Sequence, residues 1–555
     1  VVLVFLAQYS FVRATNFGGV DEWLYIDLGS RGALAIPYAN RPLVLLWTTV
    51  ASQVWAHDLR SYWLFHGLYL CLAACLTTVL TRRILPGRPR LAILAGVLAA
   101  AWAPQDPLRL DAVVGSGYSG FTLATMLALT LFVESWHRAR PTLLALGALV
   151  GMVAARGVES VIPVLAVAPL LVGETAREKR RRFARWSLFW YGVVALELAL
   201  ALSPLMSGAP SYQGDALGLD LHPLRVVERL VRLLGMQAGP LVTSSPAELL
   251  TPAVPLAVGA FGLLAVLATR SPPAGEPPVD PVGSRRAAMR ALGLGLLVAC
   301  SAHAGLALSG SVKTASRTQI LSAPGFALAL AGAVVLVGSF LPRRWSGVGT
   351  LVLGAWVVAV GTGRTLAVQK EWDDFRGLYP PQHQTLVELT RMAPSVEPGT
   401  LFVLLDETRT WNVSLTFRHA VAYLYPRQAL GLVPHAPDFL YPWSFTPDGI
   451  AIWPWPQIQA PWDQEPSLHP WETLVVLRKS GRGQLEILSR WPSEALPPLP
   501  AGARYAPGER IVEGRPPPPS RRILEASAGD GIEGPGPSAY HRPGPTERRT
   551  GRHMR

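Results

Sequence analysis

Long apolar stretches alternate with short arginine clusters over the first two thirds of the chain. A bilayer core takes about 20 apolar residues per spanning helix, and cytoplasmic loops collect Lys and Arg. The clusters are Arg82/Arg83/Arg88/Arg90, Arg138/Arg140, Arg177 with Lys179 to Arg182 and Arg185, Arg285/Arg286/Arg290, and Arg343/Arg344. All of them face the cytoplasm if spans lie near 1–13, 61–81, 91–104, 118–135, 141–155, 158–172, 186–206, 250–269, 291–308, 320–341 and 347–361. The pattern predicts an α-helical polytopic membrane protein of about eleven spans. The first run reads as an anchor and not a signal peptide, because no small-residue cleavage site follows it before Asp21. Leu43 to Ala56 is also apolar, but counting it as a span would turn every later cluster outward. It is therefore expected to lie on the outer surface, with Trp47 and Trp55 at the lipid interface.

After Gly361 the pattern changes. Helix-like periodicity over Gln384–Met392 and Val413–Tyr425 mixes with strand-like runs over Leu401–Leu405, Thr473–Leu477 and Leu485–Leu488. This predicts a small extracytoplasmic α/β domain over 362–495, following a membrane domain over 1–361. Residues 496–555 are dominated by Pro, Gly and Arg and are expected to be a disordered tail.

Composition supports the membrane assignment. Half of the 555 residues are hydrophobic and only 16% are charged, against roughly a quarter in soluble domains. The net charge of +13 would fit a nucleic-acid partner if it formed a patch, but it is dispersed between apolar runs, so no nucleic acid is expected. Cys71, Cys75 and Cys300 lie in apolar segments and define no disulfide framework or metal motif. Gly115 to Gly120 spells GxGxxG, yet it enters a membrane helix where a dinucleotide fingerprint needs a preceding strand.

The outer loops carry the polar chemistry. Asp21 and Glu22 follow the anchor, and a partly desolvated carboxylate there could take a proton from a nucleophile. The plain alternative is a solvated loop acid. Arg41, in Asn40-Arg41-Pro42-Leu43, begins the surface segment and suits a lipid phosphate, whether of a carrier or of a headgroup. Asp111 precedes the fourth span as a second acid or a helix cap. Arg156 stands on the outer side against the inward bias of basic residues, with Glu159 as a ready partner. His57, Lys313 and Arg317 are accessory candidates, and Trp453, Trp455, Trp462 and Trp471 could stack on sugars or fill a core.

In this order, Asp21-Glu22-Trp23-Leu24-Tyr25, Arg41-Pro42-Leu43, a second span ending Arg82-Arg83-Ile84-Leu85, Arg109-Leu110-Asp111 and Ala155-Arg156-Gly157 resemble the GT-C superfamily of lipid-sugar-dependent glycosyltransferases. The likeness is to the protein O-mannosyltransferase and lipid A aminoarabinose transferase branch. It covers roughly residues 1–205. Arg41 and Arg156 stand where the family usually has Lys, and Pro42 where it has two prolines.

The resemblance implies an inverting transfer of a sugar from a polyprenyl-phosphate donor to a cell-envelope glycan, lipid or protein. Asp21 would be the base, Glu22 its alternate and Asp111 an assistant to the acceptor. Arg41 and Arg156 would hold the donor phosphate. A divalent metal between Asp21 and Asp111 stays open, and no other cofactor is specified. The expected location is a bacterial inner membrane, among its lipids. A flippase or transporter and a non-catalytic scaffold are the alternative readings.

Overall fold

The computed structural model describes residues 1–17, 21–36, 41–102, 106–172, 179–206, 220–270, 281–309, 319–373, 378–438, 440–453 and 466–525. In chain order, α1 (Val2–Tyr9), α2 (Glu22–Ser30) and α3 (Leu46–Val54) lead into a helical bundle. The bundle comprises α4 (Leu59–Ile84), α5 (Pro89–Ala101), α6 (Ala112–Arg138), α7 (Pro141–Gly157), α8 (Arg180–Met206), α9 (Pro223–Ala238), α10 (Ala253–Arg270), α11 (Pro281–Ala307), α12 (Gln319–Gly338) and α13 (Arg343–Glu371). Among the described residues, 6 helices, α4, α6, α8, α11, α12 and α13, are long and apolar enough to cross a membrane. Shorter apolar helices run over Pro89–Ala101, Pro141–Gly157, Glu159–Leu171 and Ala253–Leu267. The chain is thus a multi-pass helical membrane protein. A count of about eleven spans requires these shorter helices, and the 8-residue α1, to cross as well.

Local chemistry sets the helix ends. Asp58 caps α4 by accepting from the Arg60 amide at 2.8 Å, Pro89 and Pro141 open α5 and α7, and α6 stops at Ala139 in the left-handed region. Helices α4 and α6 therefore run from an acid-capped end to an arginine-rich end. At the latter, Glu134 pairs with Arg83 and Arg138, and Arg182 donates to the Trp136 carbonyl at 2.8 Å. The arginine clusters after the second and fourth apolar runs share one end of the bundle with the start of α8. Helices α11 and α12 meet along glycines: a Cβ at Gly295 would lie 2.3 Å from the Ala329 amide nitrogen, too close for any side chain.

Helix α13 continues past Gly361 to Glu371 although its composition turns polar. The polar groups find partners: Gln8 donates to Thr365 Oγ1 at 2.8 Å, and Asn16 donates to Gln369 Oε1 at 2.7 Å. The membrane helix thus runs beyond the boundary that composition suggests.

The C-terminal domain contains α14 (Tyr379–Met392), β1 (Thr400–Asp406), α15 (Ser414–Leu424) and β2 (Ala429–Leu432). It continues with β3 (Trp443–Thr446), β4 (Gly449–Ile452), β5 (Ser467–Pro470), β6 (Leu474–Lys479) and β7 (Leu485–Ile487). One sheet has order β2-β1-β6-β7, with β1 parallel to β2 and β6, and β7 antiparallel; the other is antiparallel, β3-β4-β5. Strand β1 is buried on nearly every residue, as a central parallel strand should be. Residues 496–525 are not the disordered segment expected from composition. Val512 donates to the Ser395 carbonyl at 2.9 Å, the Tyr505 hydroxyl donates to the Leu488 carbonyl at 2.8 Å, and Ile523 is fully buried. A few apolar anchors suffice because the Pro-rich chain between them loses little entropy on ordering. The rest of the expected tail, 526–555, lies outside the described residues.

Candidate active site

The acid-capped end gathers the chemistry. Asp111 caps α6 through Oδ1, which accepts from the amides of Val113 and Val114, each at 3.0 Å. The same carboxyl is hydrogen-bonded to Glu22, in the first turn of α2. Both acids are buried, at 3% and 2% exposure. Two carboxyls cannot share a hydrogen bond without a proton between them. Burial first, then the charge and hydrogen bond of Glu22, push the Asp111 carboxyl well above the ordinary range, against the pull of the two amides. Asp21, half-buried at the start of α2, is the next residue along, and its carbonyl accepts from the Tyr25 amide at 2.9 Å. The acids predicted from sequence are therefore close together, with Glu22 and Asp111 in direct contact.

The predicted phosphate-binding arginines each hold a carboxylate. Arg41 grips Glu159 with Nε and Nη2, both at 2.6 Å, while Arg156 Nε lies 2.9 Å from Glu197. For Arg156 a phosphate or a carboxylate was expected, with Glu159, three residues on, the ready carboxylate. The helix breaks between them, because Val158 is extended at φ −146 and ψ 109, so the i,i+3 geometry is lost. Glu197, an acid in an apolar helix, is explained by this ion pair. The Leu43 amide donates to the Arg156 carbonyl at 3.3 Å, which ties the two arginine segments together. Burial works against the Arg41 charge, but Glu159 outweighs it and holds the guanidinium above its ordinary range.

His57 is placed elsewhere: its Nδ1 meets the Tyr423 hydroxyl at 2.7 Å, at the contact with the C-terminal domain. Burial, with Arg522 nearby, draws it below the usual imidazole range. Lys313 and Arg317 lie outside the described residues, as do Trp455 and Trp462. Trp471 is core, with Nε1 donating to the Pro447 carbonyl at 2.9 Å, whereas Trp453 is 39% exposed. Trp47 is half-buried and packs on Tyr69 and Phe121, over Gly120. Trp55 is half exposed. The last glycine of the GxGxxG run serves this packing, since a Cβ at Gly120 would meet the Trp47 ring at 2.2 Å, while one at Gly115 would meet the Leu108 carbonyl at 2.3 Å. No group of three or more His, Cys, Asp or Glu side chains placed to hold a metal occurs among the described residues.

Several residues at this end were not singled out from the sequence. Trp23 Nε1 donates to Gln382 Oε1 of α14 at 3.0 Å, and Asp27 Oδ2 meets His419 Nδ1 of α15 at 2.8 Å. Helix α2 is thus clamped by the C-terminal domain on one side and bonded to α6 on the other. Asp106 accepts from the Leu108 amide at 3.1 Å and from the Ile320 amide of α12 at 3.0 Å. Burial, opposed by these amides, pushes its carboxyl up to about 7. None of these partners has a signal in local sequence; they are brought together by tertiary packing.

No family model matches the sequence, and no curated protein matches it. Among solved structures, the chain is similar to ArnT from Cupriavidus metallidurans bound to undecaprenyl phosphate, with TM-score 0.43, 14% identity, 79% of this chain and 88% of that chain covered. It is similar to the apo state of the same protein at TM-score 0.37 and 14% identity, covering 73% and 80%. It is also similar to the apo oligosaccharyltransferase of Archaeoglobus fulgidus at TM-score 0.39 and 13% identity, covering 78% and 64%. These are distant resemblances in chain path.

Proposed function

We propose that this chain is an integral membrane glycosyltransferase. It moves a sugar from a polyprenyl-phosphate donor to a cell-envelope acceptor on the extracytoplasmic side of a bacterial inner membrane. The observation that carries the reading is the buried Glu22–Asp111 carboxyl pair beside the half-buried Asp21, at the end of the bundle that also holds Arg41 and Arg156. The order of sequence motifs points to the same class.

In this mechanism an acceptor hydroxyl or amine attacks the sugar's anomeric carbon from the face opposite the phosphate. The new bond to carbon forms as the bond to phosphate oxygen breaks, with inversion. Asp21 takes the acceptor's proton. The Glu22–Asp111 pair fixes the start of α2 against the start of α6 and so positions that base. The leaving phosphate gathers charge near Arg41 and Arg156. Arg156 has a third of its side chain exposed while its Nε lies 2.9 Å from Glu197.

The test is transfer by the purified chain from radiolabelled polyprenyl-phosphate sugars to cell-envelope acceptors. Asp21→Asn should abolish transfer while leaving the fold intact. Undiminished transfer by both Asp21→Asn and Asp111→Asn refutes the site. Translocation of lipid without transfer favours a flippase.

A further inference from the structure

Helix α9 is too short and too charged to cross a bilayer. Its 16 residues reach about 24 Å against a hydrocarbon core of about 30 Å, and Arg225, Glu228, Arg229 and Arg232 fall within them. Its side chains form three stripes. Val226, Leu230 and Leu233 pack against Leu306 and Ala307 at the end of α11, and Gln237 Oε1 accepts from Ser322 of α12 at 2.9 Å. Leu224, Val227 and Val231, spaced at i, i+3 and i+7, form a second stripe that is bare, at 75%, 57% and 64% exposure. Arg225, Arg229 and Arg232 form the third, with Arg225 and Arg229 paired to Asp220 and Arg232 to Glu228.

The bonds at its two ends orient α9. The Asp220 amide, just before the helix, donates to the Leu308 carbonyl at 2.9 Å, and Gln237, in the last turn, lies 3.2 Å from His303 Nε2. His303 and Leu308 are separated by about 7.5 Å of helical rise, whereas Asp220 and Gln237 are separated by about 25 Å. Helix α9 therefore crosses the end of α11 instead of running along it. Helices α11 and α12 are antiparallel, with Gly295 against Ala329 and Gly332 against Ala288, and the start of α12 is held by Asp106. The crossing thus lies at the acid-capped rim of the bundle. Exposed apolar side chains continue from it through Val242 and Leu250 to Leu256 and Leu263 of the apolar helix α10.

We propose that α9 is an interfacial helix that docks on a phospholipid leaflet, with Leu224, Val227 and Val231 among the acyl chains and the arginine stripe among the headgroups. A leaflet fits this stripe because it is continuous with the apolar face of α10, which a bilayer covers. The adjoining arginines can rest their stems on the apolar layer while their guanidinium groups reach phosphates. Their exposed ion pairs with Asp220 and Glu228 are weak and do not bar that exchange. The inference uses the membrane assignment and is independent of sugar transfer.

The test measures depth. Nitroxide labels are introduced singly through Val227→Cys, Val231→Cys and Arg232→Cys in the full chain carrying Cys71→Ala, Cys75→Ala and Cys300→Ala, in phospholipid nanodiscs. Collisions with oxygen, which concentrates among acyl chains, are compared with collisions with a water-soluble nickel chelate. The labels at 227 and 231 should lie about 5–10 Å beneath the phosphates, and the label at 232 at or above them. Full access of nickel to all three overturns the proposal. Shielding of 227 and 231 from both reagents means that a protein surface covers the stripe, which also overturns it. Three equal depths overturn the placement of the arginines. If the cysteine-free chain does not fold, Val231→Glu in the native chain gives a second reading. A carboxylate among acyl chains should lower the melting temperature in nanodiscs by several degrees, whereas on a solvated helix face it should change little. An unchanged melting temperature overturns the proposal by itself.

Discussion

Replacing Asp111 by Asn removes the shared proton of the carboxyl pair and little else. The amide oxygen can still accept from Val113 and Val114, where Asp111 now accepts two bonds at 3.0 Å, and the amide NH₂ can donate to Glu22. The consequence is a change in pH dependence. The folded-state affinity of Asp111 for its proton is raised above that of a free aspartate, so the folded chain keeps this proton where the unfolded chain has released it. The stabilisation is fully present below the unfolded value, near pH 4, and is lost as pH rises through the raised folded value. One proton held in this way contributes a slope of about 1.4 kcal/mol per pH unit across that window. Asp106 adds a slope of the same sign between about pH 4 and 7, so wild type must be compared with Asp111→Asn on an otherwise identical chain. Chemical denaturation in a mild detergent, followed by tryptophan fluorescence from pH 4 to 8, measures both curves. The Asn variant should gain stability relative to wild type as pH rises. Parallel curves would mean that no proton is shared at Asp111.

Asp106→Asn should likewise flatten the wild-type pH dependence between about 4 and 7, measured by the same denaturation series, because it removes a carboxyl held up to about 7. Arg156→Gln should destabilise the chain by on the order of 3 kcal/mol, since it strands Glu197, which is 2% exposed; adding Glu197→Gln should recover much of this in a thermal melt. A double-mutant cycle of Asp27→Asn and His419→Gln should show coupling of roughly 1–2 kcal/mol, because the two side chains meet at 2.8 Å and are both nearly inaccessible. Hydrogen exchange of residues 22–30 should rise in His419→Gln and stay unchanged in a surface control such as Arg504→Gln, where the guanidinium is 70% exposed.

The features legible in the sequence are those decided within a helical turn or a strand. The apolar runs find their helices, with α4 capped by Asp58 and α6 by Asp111. The strand-like runs at Leu401, Leu474 and Leu485 fall on β1, β6 and β7. The acids gathered at the acid-capped end were also readable as residues of the loops that precede α2 and α6. Composition misled where distant partners compensate: polar α13 stays helical because Gln8 and Asn16 satisfy Thr365 and Gln369, and the segment to Glu525 folds because its few apolar residues find the domain.

Pairing was the part that local pattern could not supply. The Arg41–Glu159 bond joins residues 118 apart and the Asp27–His419 bond residues 392 apart, so no helical period encodes either. This has a consequence for reading charges in such chains. Counting basic residues by loop finds the arginine-rich end of the bundle, but it does not tell which arginines at the opposite end are already paired. Here Arg41 and Arg156 carry carboxylates and Arg109 does not.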